Sequence, residues 1–279
     1  MAHAQIILPH QKIVNGRVTS RNAFVEEIDP RILMRAFSYL NPTHRVKVAN
    51  SVLPGTKRPT IDAFRFLLLN EPNSDLMKAA LKLFVTSFPD KDEREPNKAI
   101  RDRIRMMNDN VLVRPFGNNK FYAMAVLRVD GQGSPLTGYC QWTSLTSEGK
   151  KSGEERDGKK EAFVYSQYVT LYQPVRNLYI STFMNGLRAA ISEKDALNAG
   201  IPGITSSIAE SEMKFKGHST EKERENRLLA HEKQGKFIWE VIMPDGSAVI
   251  PWRQPPVGGD ICALHLTELS YGEAKEPTK

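Results

Sequence analysis

Cysteine is scarce in this sequence, and long apolar runs and targeting patterns are missing. Only two cysteines occur in 279 residues, Cys140 and Cys262, which is too few for a disulfide scaffold and indicates a reducing compartment. No stretch approaches the roughly 18 consecutive apolar residues of a membrane helix. The first residues, MAHAQIILPHQK, show no cleavable signal-peptide pattern. We therefore predict a cytoplasmic protein with no membrane partner.

The short motifs of familiar catalytic sites are also missing. The sequence contains no Walker A loop, GxSxG, HExxH or GxGxxG segment, and its six histidines show no spacing that suggests a triad. Cys262 and His265 are three positions apart, and an odd separation on a strand points side chains to opposite faces. We predict no catalytic residue, no metal and no cofactor. A metal-dependent nuclease that uses Glu212, Lys214 and acidic pairs such as Asp92-Glu93 is an alternative.

Positive charge is in excess and unevenly placed. The net charge is +7, and residues 1–60 contain nine Lys and Arg against three acids. Residues 110–180 contain nine cations against six acids. A localised basic excess is the electrostatic footprint of a protein that binds polyanions. A charge that serves only solubility is the alternative.

Helical periodicity follows an extended arm over residues 1–28. Asp29 is a good N-cap, and Pro30 suits the first turn of a helix. The 3.6-residue period predicts that helix and four more in the segments THRVKVANSVL, TIDAFRFLLLN, SDLMKAALKLFVTSF and NKAIRDRIRMM. Residues 29–108 are therefore predicted as a helical region.

From Val111 the apolar period changes to two. Strands are predicted in NKFYAMAVLRVDGQG, TGYCQWTSL and AFVYSQYVTLYQP. If these strands are neighbours, one face of their sheet is apolar, and the other mixes cations with tyrosines. Two more helices, a hairpin around Pro244-Asp245-Gly246 and a final strand, DICALHLTEL, are predicted after residue 175.

A charge-dense segment, TSEGKKSGEERDGKKEA at residues 146–162, separates two of the predicted strands. Its five cations are balanced by five acids, so it is no simple polycationic clamp. It has almost no apolar side chains with which to pack. It is either a solvated hairpin tip or a finger that becomes ordered on nucleic acid or on a neighbouring subunit, with its lysines in contact.

The predicted fold class is α+β. An N-terminal helical layer packs on an antiparallel β-sheet with a long hairpin loop, and later helices and a C-terminal β-hairpin complete it. The predicted divisions are an arm at 1–28, a helical region at 29–108, a sheet region with inserted helices at 109–270 and a tail at 271–279. Residues 28–270 as one compact unit are the alternative.

The predicted function is non-catalytic binding of single-stranded nucleic acid, RNA or DNA, largely without sequence specificity. Exposed aromatic rings contribute about 1–3 kcal/mol per stacked base, and cations hold the phosphates. The alternative is a structural protein that forms homo-oligomers through the arm and the finger. The predicted binding residues are cations and tyrosines: Arg45, Lys47, Lys57, Arg58, Lys120, Tyr122, Arg128, Lys150, Lys151, Tyr168 and Tyr172.

Overall fold

Helices and one large sheet make up the part of the chain that the computed structural model describes. The fold class is α+β, as predicted. The division into arm, helical region, sheet region and tail stays a prediction. The described residues are 13–14, 17–18, 25–89, 91, 94–108, 119–129, 135–146, 160–172, 175, 178–212, 221–233, 236–239, 241–242, 248–249, 252–254 and 262–271.

The helices begin where capping side chains are available. Asp29 Oδ1 accepts a hydrogen bond from Arg31 N at 2.7 Å, and Ser74 Oγ accepts one from Met77 N at 3.1 Å. Each bond satisfies a first-turn N–H group that has no partner within the helix. The helices of the described residues are α1 (Pro30–Ser38), α2 (Pro42–Asn50), α3 (Asp75–Ser87), α4 (Asn97–Asn108), α5 (Ile180–Asn198) and α6 (Glu221–Lys233).

The strands form one nine-stranded sheet and two small hairpins. They are β1 (Ile13–Val14), β2 (Arg17–Val18), β3 (Val25–Glu27), β4 (Phe64–Leu69), β5 (Lys120–Arg128), β6 (Leu136–Thr146), β7 (Ala162–Leu171), β8 (Ser206–Glu212), β9 (Phe237–Trp239), β10 (Val241–Ile242), β11 (Ala248–Val249), β12 (Trp252–Gln254) and β13 (Cys262–Ser270). The large sheet has the order β12-β13-β8-β7-β6-β5-β4-β3, and β9 also pairs with β13. Among these described pairs the sheet is antiparallel, as predicted, except for the parallel pair β7–β8.

The sheet is the middle of three layers. Helices α1, α2 and α5 lie on one face, and α3 and α4 lie on the other. The residues of β5 alternate between the two cores, as the period of two predicts: Met124 and Val126 face α5, whereas Ala123 and Ala125 face α3. The prediction of a polar outer face is wrong, because helices cover both faces of these strands.

Residues 60–70 were expected to be a helix, and the structure corrects this prediction. A short 3-10 turn at Ile61–Ala63 leads into β4, which lies between β3 and β5. Phe66 and Leu68 enter the core beside α5, and Leu67 and Leu69 enter the core beside α3. A strand buried on both faces is a continuous apolar run, which periodicity alone does not distinguish from a buried helix.

The described helices include none that is both long enough and apolar enough to span a membrane.

Candidate ligand site at the carboxyl end of the sheet

Strands β7 and β8 separate at one end of the sheet. Their parallel pairing covers four register positions and ends at Ser166 and Ala209. β7 continues to Leu171 and β8 to Glu212, and over these described stretches no register pair joins the two strands. The β8-facing backbone groups of residues 167–171 therefore lie beyond the hydrogen-bonded pairing between β7 and β8. In open α/β sheets, ligands bind in the crevice beyond the carboxyl ends of strands.

A β-bulge in β7 accounts for this separation. Gln141 of β6 pairs with Tyr168, whereas the next residue, Trp142, pairs with Ser166, so that Gln167 is an extra residue. A bulge bends its strand and increases the local twist. The bulge directly follows the last parallel pair, so it turns β7 away from β8. Bulges are over-represented beside active sites.

Helix α5 begins at the same end of the sheet, shortly after β7 ends. Its N-cap residue, Tyr179, has the left-handed backbone angles φ 58° and ψ 14°, and its side chain makes no capping hydrogen bond. The first N–H groups of a helix have no partner within it, and this end of the helix carries a partial positive charge. Holding a non-glycine residue in this conformation costs on the order of 1–3 kcal/mol, and residues strained in this way cluster at ligand sites. This helix end suits an anion.

Close packing fixes α5 relative to its neighbours. A Cβ atom on Gly186 would lie 2.3 Å from the Ala36 carbonyl oxygen, so α1 approaches α5 as closely as a glycine allows. On the sheet side, Trp142 Nε1 donates to Ser192 Oγ at 3.1 Å. The helix that carries the uncapped N-terminus is therefore a rigid element.

A buried polar network lies behind the bulge, on the α3–α4 side of the sheet. Tyr139 Oη donates to Gln141 Oε1 at 2.7 Å, and Gln141 Nε2 donates to Glu95 Oε2 at 3.0 Å. Gln141 Nε2 also lies 3.5 Å from Gln167 Oε1. Glu95 forms an ion pair with Arg103. Burial raises the pKa of Glu95 above its ordinary value, against the opposing effects of the Arg103 charge and the Gln141 hydrogen bond.

The opening between β7 and β8 lies near the start of α5, and the network around Glu95 adjoins the bulge from the other face of the sheet. The separated strands offer backbone donors and acceptors to an extended ligand, and the end of α5 offers N–H groups to its anionic part. The network around Glu95 places a carboxyl group one side chain away from the bulge. Among the described residues, no three His, Cys, Asp or Glu side chains gather as metal ligands.

The cations predicted from the helical region lie on α2 and in the turn that follows it. Arg45 donates from Nε to the Phe37 carbonyl oxygen at 3.0 Å, so it stabilises the end of α1. Lys47 and Lys57 are exposed. Arg58 is exposed and donates to a backbone carbonyl.

The predicted aromatic face does not exist, because its tyrosines lie on opposite sides of the sheet. Tyr122 faces α5, where its Oη donates to Asp195 Oδ2 at 2.7 Å and Lys120 Nζ lies 3.3 Å from Asp195 Oδ1. Tyr168 faces α3, with its ring centroid 4.9 Å from that of Phe84. Because the bulge adds one residue at Gln167, Tyr168 points to the face of α3 and not to the face of α5.

Of the remaining predicted residues, the structure describes Arg128 and Tyr172. Arg128 is half-buried at the end of β5. Tyr172 follows β7, is 38% exposed, and donates from its backbone N to the Thr137 carbonyl at 2.7 Å. Lys150 and Lys151 lie outside the described residues, as does the predicted finger over residues 147–159.

Comparison with known proteins gives similarity to solved structures only. No protein-family model matches the chain, and no curated protein matches it. The chain is similar to the structure of Arabidopsis thaliana NAA60 in complex with acetyl-CoA, with 13% identity, 74% of this chain and 98% of that chain covered, and a TM-score of 0.42. It is similar to Ard1 from Thermoplasma volcanium, with 11% identity, coverage of 76% and 99%, and a TM-score of 0.40. A third similar structure is an aminoglycoside acetyltransferase from an uncultured soil metagenomic sample, with 15% identity, coverage of 62% and 88%, and a TM-score of 0.33.

The prediction of a non-catalytic single-strand binder is wrong. Its stacking face is divided between the two sides of the sheet and covered by helices. Of the similar structures, one contains acetyl-CoA and another is described as an acetyltransferase. The predictions that the chain is not an enzyme and that its partner is single-stranded nucleic acid are corrected with it, whereas the formation of homo-oligomers stays a prediction. The nuclease and assembly alternatives receive no support.

The parallel pair and its opening have only a weak signal in the sequence. A predicted strand and a predicted helix precede β8 within residues 162–212, and this order is compatible with a βαβ unit that has parallel strands. The segment SSIAESE, which forms β8, is too polar to be recognised as a strand by itself. The bulge at Gln167 has no sequence signal, since glutamine fits any strand position.

Proposed function

We propose that this chain binds an acyl-coenzyme A in the opening between β7 and β8 and transfers its acyl group to an amine. The observation that carries the proposal is the separation of these parallel strands beside the uncapped N-terminus of α5. Coenzyme A combines phosphates with an extended arm that contains amide groups. The phosphates suit the helix end, and the amides suit the side of β7 that turns away from β8 after the last parallel pair, Ser166 with Ala209.

The transfer requires an acceptor beside the bulge. The amine nitrogen, once deprotonated, attacks the thioester carbonyl; the C–N bond forms, the C–S bond breaks, and the thiol of coenzyme A leaves with a proton. Glu95 is the acidic side chain behind the bulge, and its charge favours the approach of an ammonium group. Gln141 holds that carboxyl group in place.

Ser181, in the first turn of α5, provides a test of the binding step. Ser181→Asp adds a negative charge at the helix N-terminus, which stabilises a helix by roughly 0.3–1 kcal/mol. The same charge repels a phosphate: at about 8 Å and an effective dielectric constant of about 20, the repulsion is on the order of 2 kcal/mol. The variant should melt no lower than the wild type and bind acetyl-CoA at least about tenfold more weakly.

Ser181→Asn is the matched control, because it adds a polar side chain of similar size without a charge. Isothermal titration with acetyl-CoA measures the binding, and release of free thiol with a panel of amines measures transfer. Equal affinity for acetyl-CoA in the Asp and Asn variants would overturn the assignment of the phosphates to this helix end. If the wild type shows no binding, the proposed function as a whole fails.

A further inference from the structure

Tyr139 begins a chain of hydrogen bonds that ends at Glu95. It lies on β6 two residues before Gln141, and both side chains face α3 and α4 and are fully buried. The Tyr139 ring packs on Phe84, with the two ring centroids 5.7 Å apart, and its hydroxyl donates to Gln141 Oε1 at 2.7 Å. The ring therefore belongs to the apolar core, whereas the hydroxyl serves the Gln141 amide.

The Tyr139 hydroxyl fixes which end of the Gln141 amide faces Glu95. An amide has one acceptor oxygen and one NH2 group with two donors, and its two ends have nearly the same shape. Burial raises the pKa of Tyr139 well above its ordinary value, so the hydroxyl keeps the proton that it donates. Because this bond holds Gln141 Oε1, Nε2 faces Glu95 Oε2 at 3.0 Å and Gln167 Oε1 at 3.5 Å.

This orientation of the amide favours the ionised form of Glu95. Burial raises the pKa of Glu95, and the charge of Arg103 and the hydrogen bond from Gln141 lower it. The other titratable side chains around the network are Tyr168 of β7 and, on the opposite face of the sheet, Cys140. An amide turned the other way would place Gln141 Oε1 against Glu95 Oε2, and two acceptors tolerate this contact only if Glu95 is protonated. Tyr139 therefore supports the charge of Glu95 through Gln141.

Glu95 is the member of this network that a ligand can reach. Its side chain is 9% exposed, and that of its ion-pair partner Arg103 is 40% exposed, whereas Tyr139 and Gln141 are closed off from solvent. Each carboxylate oxygen accepts two hydrogen bonds. The bonds to Arg103 and Gln141 therefore leave lone pairs of Glu95 for an incoming donor, and an ammonium group is such a donor.

We propose that Tyr139 is a positioning residue, which acts through Gln141 to hold the Glu95 carboxylate ionised and oriented for the ammonium group of the acceptor. Tyr139 itself touches no substrate. This role rests on the proposed acyl transfer, because the acceptor amine is the ligand that the carboxylate receives. It makes amine binding depend on a buried hydroxyl that is one side chain removed from the carboxyl group.

Tyr139→Phe removes the hydroxyl and keeps the ring in the core. Carbon-13 NMR of the side-chain carboxyl groups, with Glu95→Gln to assign the signal, follows the titration of Glu95. Because Gln141 loses its fixed orientation in this variant, we expect the midpoint of the Glu95 titration to move to higher pH. With an amine acceptor, KM should rise by about threefold to tenfold, the equivalent of one hydrogen bond, and the affinity for acetyl-CoA should stay unchanged.

Tyr122→Phe is the matched control, because the Tyr122 hydroxyl donates at the same distance of 2.7 Å to Asp195 on the opposite face of the sheet. It should leave the Glu95 midpoint unchanged. Gln141→Met is a second variant that should raise the midpoint by itself. Addition of Tyr139→Phe to it should raise the midpoint no further, since the hydroxyl acts through the amide.

Equal Glu95 midpoints in the wild type and in Tyr139→Phe, or a further rise in the double variant, would overturn this role of Tyr139. A wild type that releases no thiol with any amine would refute the proposed function and, with it, the acceptor that Glu95 receives. The carboxyl titration distinguishes these two failures, because it needs neither acetyl-CoA nor an amine.

Discussion

Gly186→Ala should separate α1 from α5 and destabilise the protein. The new Cβ atom would lie 2.3 Å from the Ala36 carbonyl oxygen and 3.1 Å from Leu40 Cδ2. An ordinary contact needs about 3.4 Å, so the backbone of α1 must move by roughly 1 Å, and overpacking of a well-packed core costs about 1–3 kcal/mol. Alanine favours a helix over glycine by about 1 kcal/mol, which leaves a net loss of about 0–2 kcal/mol.

Thermal unfolding followed by circular dichroism measures this change. A loss of that size corresponds to a melting temperature up to about 8 °C lower. Gly203→Ala is the control, because its Cβ would meet no atom closer than 3.9 Å, and it should change the melting temperature little. A Gly186→Ala variant that melts higher than the wild type would refute the close packing of α1 on α5, since only the helix propensity would then remain.

Two further predictions concern the other face of the sheet. Tyr168→Ala should lower the free energy of unfolding by about 3–5 kcal/mol, because Tyr168 packs against Phe84 and Phe88 at ring-centroid distances of 4.9 and 5.2 Å. Tyr172→Ala is the control, because Tyr172 is more exposed. If chemical denaturation gives equally small losses of unfolding free energy for both variants, this packing is contradicted. Glu95→Gln should slow transfer to amines and leave acetyl-CoA binding unchanged. The pKa of Glu95 is raised in the folded state, so the folded protein binds more protons than the unfolded one, and its stability falls as pH rises from the unfolded pKa through the folded pKa. Glu95→Gln should flatten the dependence of the unfolding free energy on pH in this range. An unchanged dependence would contradict the burial of this carboxyl group.

Local signals were sufficient for most helices of the described chain. Asp29 caps α1 as predicted, Ser74 caps α3 at the first residue of its predicted segment, and the apolar period of α4 was recognised correctly. These signals act within a few residues, so they survive without knowledge of the neighbours. The segment that forms β4 was misjudged because its burial on both faces depends on β3 and β5, which are distant in sequence.

The candidate site was much less accessible to prediction. Its opening depends on a parallel pairing between β7 and β8 and on a bulge at Gln167. A bulge shifts the alternation by one residue, which moves every later side chain to the opposite face. Tyr122 and Tyr168 therefore lie on different faces, although a strict period of two places them together if the strands are neighbours.

The sequence by itself determined the α+β class, the caps that start α1 and α3, and the alternation of β5, since each depends on propensity and period within a short window. Only the tertiary structure decided which strands are neighbours, that helices cover both faces, and where β7 leaves β8. It also brought Trp142 Nε1 within 3.1 Å of Ser192 Oγ, although these residues are far apart in sequence. Register and burial are set by contacts between distant segments, and these contacts exist only once the chain has folded.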